Sequence, residues 1–186
     1  MPRDPARPAP AFRGDATLSM EQANVIALVF IPAALALVAA HGWIWGAASL
    51  RAGFGDVISL VFLPVFLACI VAHEALHALG FALAGAPRSA LHFGIDRRTF
   101  SPFAGCTAPV RATAYRVAVL LPALVLGVAP LAYGLATGVA WASIWGAFML
   151  LCAGGDFAAL WAMRAVPGRA RVLDHSERVG CRVVAD

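Results

Sequence analysis

The sequence lacks lysine altogether and has few charged residues of any kind. Only 13% of its 186 residues are charged, which is about half the share found in ordinary soluble domains. Hydrophobic residues make up 61%, against about 45–50% in such domains. So few charges cannot form the hydrophilic shell of a soluble globule, and so apolar a chain does not stay disordered. Both classes are therefore excluded.

Two further absences narrow the class. The four cysteines show no CxxC spacing, and two of them, Cys69 and Cys152, lie inside apolar stretches, which argues against a disulfide framework. Every basic residue is an arginine, and the net charge is +4. These arginines flank apolar stretches and do not form a stripe along one helix. They indicate membrane orientation and contact with the lipid bilayer, and we expect no nucleic-acid partner.

Long apolar stretches dominate what is present. Residues 57–84 contain Glu74 as their only Asp, Glu or Arg, and residues 117–163 contain only Asp156. Each stretch exceeds the roughly 18 apolar residues that indicate a transmembrane helix, and the second is long enough for two. The sequence therefore predicts an all-α membrane protein with about four transmembrane helices, at residues 23–48, 57–84, 114–137 and 141–163.

The segment between the second and third predicted helices is not an ordinary linker. Over residues 88–111, large apolar residues recur among charges and glycines without helical periodicity. This pattern is typical of a short strand-like or re-entrant segment. Irregular backbone at membrane depth has to line a wet cavity or be covered by protein.

Arginine positions predict the orientation. Alternate sides of the four-helix topology hold thirteen arginines and one, Arg51, so the positive-inside rule places both termini in the cytoplasm. We divide the chain into a disordered cytoplasmic arm (1–21), a metallopeptidase-like membrane domain (22–165) and a cytoplasmic tail (166–186). The motif described next is the reason for the term metallopeptidase-like.

The second predicted helix contains His73-Glu74-Ala75-Leu76-His77, an HExxH pattern. Histidines four residues apart share one face of a helix and can bind one metal ion. Asp156 is the only ionisable residue of the fourth predicted helix. Counting from the cytoplasmic helix ends places it and His77 at the same depth, roughly 10–12 Å inside the membrane face, so it is the candidate third ligand. The alternative is that these polar residues only pair with neighbouring helices.

Other residues remain open candidates. Cys69 and Cys152 lie one helical turn from His73 and Asp156, respectively. They are either soft metal ligands or small packing residues. His92 either binds substrate, orients an intermediate, or has no functional role. We also expect Gly154 and Gly155 to let the fourth helix approach the second, where the partner residues are Gly80 and Ala84.

Several motifs together resemble a known family. They are HEALHALG in an apolar span, Cys-Thr-Ala-Pro at 106–109 before Tyr115-Arg116, Pro122, and Gly-Gly-Asp at 154–156. This combination resembles the small bacterial membrane family named "putative zincin peptidase" over about residues 55–165, and more weakly the tail at 174–180. By wider analogy it is similar to the site-2 type of intramembrane metalloproteases. That class has an Asn/Pro and Asp-Gly pattern near its third ligand, whereas here Gly-Gly-Asp precedes Phe157.

The resemblance implies that His73, His77 and Asp156 hold zinc and that Glu74 is the catalytic acid–base residue. The expected function is zinc-dependent hydrolysis of membrane-embedded peptides near the cytoplasmic face of a bacterial inner membrane. Two alternatives stay open: a metal-dependent enzyme acting on a lipid or another small amphiphile, and a non-catalytic metal-binding scaffold.

Overall fold

The computed structural model of the chain describes residues 11–59, 61–95, 102–175 and 177–185. Helices dominate these residues: α1 (Met20–Trp45), α2 (Ala47–Val57), α3 (Phe62–Leu83), α4 (Ala112–Pro122), α5 (Ala129–Thr137), α6 (Ala140–Cys152) and α7 (Gly154–Ala162). Six short strands accompany them: β1 (Phe12–Leu18), β2 (Leu91–Ile95), β3 (Pro102–Cys106), β4 (Val110–Arg111), β5 (Arg171–Asp174) and β6 (Val179–Val184).

Three helices within the described residues are long and apolar enough to cross a membrane. They are α1, α3 and the continuous helix Ala112–Thr137, which α4 and α5 form together with a π-helical segment at Ala123–Val128. A fourth candidate is the pair α6 and α7, which is bent by 44°. By length and composition, these elements correspond to the four predicted spans. The π-helical segment directly follows Pro122, whose ring disturbs the regular hydrogen-bond ladder.

The second span is shorter than predicted. Residues 47–57 form the separate helix α2, and α3 starts only at Phe62. A polar network ties α2 to its neighbours, because the fully buried His41 of α1 lies 3.2 Å from Ser49 of α2 and 2.9 Å from Ser143 of α6. His41 of α1 therefore links α2 and α6, and four residues separate α2 from α3.

The prediction of an all-α protein with one strand-like segment was confirmed in part: the described residues are mostly helical but also contain two small antiparallel sheets. The strand-like segment between the second and third spans is the hairpin β2–β3, with Leu91 opposite Cys106 and Ile95 opposite Pro102. Residues 96–101 of the predicted segment lie outside the described residues. A second sheet has the strand order β1-β6-β5-β4.

The second sheet also corrects the prediction of a disordered N-terminal arm. Phe12–Leu18 of that arm form β1, which pairs with β6 along its length; residues 1–10 lie outside the described residues. Backbone hydrogen bonds to the tail, 160 or more positions away, supply the order that local sequence does not predict. The sheet therefore brings together the arm, the end of the second loop and the tail, which the arginine count assigned to one side of the membrane.

Two of the glycines expected to bring the fourth span against the second contact other helices instead. A Cβ on Gly154 would lie 2.5 Å from the Cβ of Ala27, so Gly154 lets α7 approach α1 and not α3. A Cβ on Gly80 would lie 2.5 Å from the Cα of Ala118, so Gly80 lets α3 approach α4. Gly155 faces open space. The expected direct contact of Gly154 and Gly155 with the second span was thus wrong, although α7 still brings Asp156 to α3.

Candidate metal centre

Three predicted ligands, His73, His77 and Asp156, lie together in the structure. The Nε2 atoms of the two histidines are 3.1 Å apart. Nε2 of His73 is 3.1 Å from Oδ2 of Asp156, and Nε2 of His77 is 3.2 Å from Oδ1. The histidines reach this position because they lie one turn apart on α3. Within the described residues, these three side chains form a group that could hold a metal ion, which we call the donor group.

His77 is held in one orientation by α4. Its Nδ1 atom lies 3.0 Å from the backbone carbonyl oxygen of Ala118. Because a carbonyl oxygen only accepts, Nδ1 must carry the proton and donate it. In a neutral imidazole, Nε2 is then left with a free lone pair, which faces the other two donors. Metal-binding histidines in proteins are commonly fixed in this way by a hydrogen bond from the second ring nitrogen.

Asp156 enters the group from the first turn of α7, just after the bend at Ala153. Its position at a helix start places the carboxylate near the positive end of the helix dipole. The Oδ2 atom is buried and, among the described residues, accepts no well-aligned hydrogen bond despite its closeness to His73. An unsatisfied buried carboxylate oxygen is costly unless a cation is present.

The donor arrangement fits zinc. Tetrahedral zinc with bonds of about 2.0–2.1 Å has its ligand atoms about 3.3–3.4 Å apart. The three donor separations here are 3.1, 3.1 and 3.2 Å. Two imidazole nitrogens and a carboxylate are also a common ligand set of catalytic zinc, which keeps a further position open. His73, His77 and Asp156 are therefore the residues that would hold the metal.

Glu74 lies between the donor group and the β2–β3 hairpin. Its carboxylate faces the backbone N–H of Ala104 in β3 and lies next to the two histidine rings. Because Ala104 directs its N–H away from β2, its carbonyl points to the same outer edge of the hairpin. The outer edge of β3 therefore runs along the candidate centre. Sequence reasoning missed Ala104, since a backbone donor leaves no mark in the residue pattern.

A second polar cluster, also missed, lies behind β3. The hydroxyl of Tyr115 donates a 2.8 Å hydrogen bond to Oδ1 of Asp174. The pKa of Asp174 is raised above its usual value, mainly because the carboxyl group is buried. A Cβ on Gly105 would lie 2.7 Å from Nε2 of His92 and 2.9 Å from Oδ2 of Asp174, so both side chains occupy the space above this glycine. His92 is thus a neighbour of Asp174, on the hairpin that also contacts Glu74.

The cysteines do not join the donor group that the described residues form. Cys69 and Cys152, the candidate soft ligands, are absent from it. Cys106 and Cys181 are buried in the core beside the second polar cluster. Burial raises the pKa of Cys181 to about 11, so its thiol stays protonated near neutral pH and is a poor metal ligand.

A two-histidine, one-carboxylate centre on apolar helices is the class of site that this fold defines. Comparison with protein families gives a match to the family described as "putative zincin peptidase" over residues 66–171. The match covers more than half of the chain and includes Glu74 and all three donors, and the chain belongs to this family. Comparisons with curated proteins and with solved structures give no match.

Proposed function

We propose that the protein is a zinc-dependent peptidase that cleaves membrane-embedded peptides close to the cytoplasmic face of a bacterial inner membrane. The observation that carries this proposal is the donor triangle of His73, His77 and Asp156, with sides of 3.1–3.2 Å, on helices apolar enough to span a membrane. Family membership supports the zinc peptidase class. The intramembrane setting is inferred from the apolar helices.

Each polar residue then has a distinct task. When bound, zinc supplies Lewis acidity, which lowers the pKa of a water molecule and polarises a substrate carbonyl. Glu74 is the general base: its carboxylate takes a proton from the attacking water and later delivers it to the leaving amine. The Ala104 N–H orients that carboxylate. Ala118 keeps Nε2 of His77 unprotonated and available as a ligand.

The outer edge of β3 favours a peptide over a lipid as substrate. A peptide within a helix hides its carbonyls in its own hydrogen bonds, so it must unwind before it can be cleaved. Strand addition supplies replacement partners for the unwound backbone. On this edge the free partners are carbonyl oxygens, because the N–H groups of Ala104 and Cys106 face Glu74 and Asp174. The Ala104 carbonyl on this edge offers such a partner beside Glu74. A small amphiphile has no peptide backbone that could pair with this edge. A non-catalytic scaffold does not need a carboxylate next to the donor group.

The test compares Glu74→Gln with a matched control, Glu21→Gln, which makes the same change at the exposed start of α1. Glu74→Gln keeps the side-chain shape and all three donors but cannot accept the water proton. We expect it to bind zinc like wild type and to lose about 10²–10⁴-fold in turnover. Glu21→Gln should match wild type in both measurements. Substrates would be helical membrane peptides in liposomes, with a chelator as a second control.

Two outcomes would refute parts of this proposal. Cleavage that persists in Glu74→Gln would remove Glu74 from its role. Zinc binding by wild type without cleavage of any peptide, but with turnover of lipid esters, would assign the same centre to the lipid-acting alternative.

A further inference from the structure

A basic cavity lies apart from the metal centre, at the end of α3. It has a volume of about 470 Å³ and is lined by the turn at residues 84–87, by residues 108–111, and by Ala114 and Arg171. Its charged lining residues are Arg111 and Arg171, and no acidic residue lines it. Among the salt bridges of the described residues, none involves either arginine.

The backbone places these two arginines directly opposite each other. In the short pairing of β4 with β5, Val110 faces Val172 and Arg111 faces Arg171. Both valines are buried and both arginines are exposed on the other face. Side chains in such a pair start about 4.5–5.5 Å apart, and like charges directly opposite are destabilising. Arg171 is also fixed, because its Nη2 donates a 2.6 Å hydrogen bond to the carbonyl of Pro109.

We propose that this cavity binds the phosphate of an anionic phospholipid headgroup, which sits between the two guanidinium groups. A phosphate diester accepts hydrogen bonds from both forks and removes their mutual repulsion. The valine pair beneath keeps the strands in register, so the backbone holds the two arginines opposite each other before the lipid arrives. This prior ordering lowers the entropic cost of binding.

The position of the cavity favours a lipid over free phosphate. It lies where α3 ends, and Leu83, which precedes the lining residue Ala84, is 77% exposed and offers an apolar surface for an acyl chain. Its volume falls within the roughly 300–1,000 Å³ of pockets for organic ligands and is larger than a bare phosphate needs. Basic pockets between transmembrane helices on the cytoplasmic side bind acidic lipid headgroups, and this cavity lies at the end of a helix long and apolar enough to span a membrane.

The test is lipid retention by the full chain in detergent, counted by native mass spectrometry. Wild type loaded with phosphatidylglycerol should keep one molecule after dilution into phosphatidylcholine micelles. Arg111→Gln and Arg171→Gln should each weaken retention by tenfold or more, since each removes one fork. The matched control is Arg51→Gln, an exposed arginine of α2 outside the cavity, which should stay within about threefold of wild type.

Arg171 also donates a hydrogen bond to the Pro109 carbonyl, so Arg171→Gln could misfold. In that case Arg111→Gln alone tests the proposed lipid site. Equal retention by wild type and Arg111→Gln, or an equal loss in Arg51→Gln, would overturn the proposed site. Displacement of the lipid by millimolar inorganic phosphate would overturn the lipid as its ligand and assign the site to free phosphate. The measurement uses neither substrate nor metal, so its result is independent of the peptidase proposal.

Discussion

Gly80→Ala should weaken zinc binding although Gly80 touches no ligand atom. Its added methyl would lie 2.5 Å from the Cα and 2.8 Å from the Cβ of Ala118, whereas carbon atoms pack at about 3.5–4.0 Å. Because Ala118 presents backbone, no side chain can swing aside, and α4 must move from α3 by about 1 Å. The 3.0 Å hydrogen bond from His77 to the Ala118 carbonyl would then exceed hydrogen-bonding distance.

Two opposing contributions determine the folding stability of Gly80→Ala. Overpacking costs about 1–3 kcal/mol in folding free energy, and exchanging glycine for alanine in a helix returns about 1 kcal/mol. The variant should therefore fold. Losing a hydrogen bond that orients a metal-binding histidine typically lowers metal affinity by about 10–100-fold.

Competition with a chromophoric chelator in detergent would measure the zinc affinity of Gly80→Ala. The matched control is Gly155→Ala, because Gly155 is next to Asp156 but a Cβ there meets no atom within 4 Å. Gly155→Ala should bind zinc like wild type. Unchanged affinity in a folded Gly80→Ala would refute the role of the Ala118 carbonyl, and equal losses in both variants would show that the effect is not specific to the α3–α4 contact.

Three further predictions follow from the site and the fold. Replacing His73 or His77 by alanine should abolish stoichiometric zinc in metal analysis and Asp156→Ala should weaken it, whereas retention by all three variants would refute the donor group. Because burial raises the pKa of Asp174 above its usual 3.8, the folded protein binds this proton more tightly than the unfolded chain. The free energy of unfolding should therefore fall as the pH rises from about 4 through the raised pKa, and Asp174→Asn should flatten that dependence in thermal unfolding. A reporter inserted at Gly138, in the turn between α5 and α6, should be exported while a C-terminal fusion stays cytoplasmic, and the reverse pattern would overturn the proposed orientation.

The donor residues were predictable from sequence because the membrane limits where polar groups lie. Histidines at i and i+4 share a helix face whatever the tertiary structure is. Asp156 could be matched to His77 in depth because the apolar stretches fix where each helix meets the interface. Both inferences rest on local periodicity and bilayer thickness, and neither needs the packing of the helices.

What sequence reasoning missed depends on contacts between distant segments. The bend at Ala153 occurs without proline, and the Gly154-Gly155 pair that follows it was interpreted only as a site of close helix contact. The Ala104 N–H acts through backbone, and Tyr115 meets Asp174 across 59 positions. The pairing of β1 with β6 has no local signal either, because no hairpin turn joins these two strands and sets their register. Gly154 was recognised as a close-contact residue, but its partner helix was assigned wrongly for the same reason.

The pairing of β1 with β6 also constrains how the protein is made. The ribosome synthesises β1 before the first span, and its partner β6 only after α7; Phe12 pairs with Val184. At about 5–20 residues per second, β1 waits roughly 10–30 s before it can pair. During this cotranslational interval it is an open edge, which favours aggregation unless charges interrupt it. Arg13 and Asp15 within β1 supply such charges, so this short strand is protected while the apolar helices are synthesised.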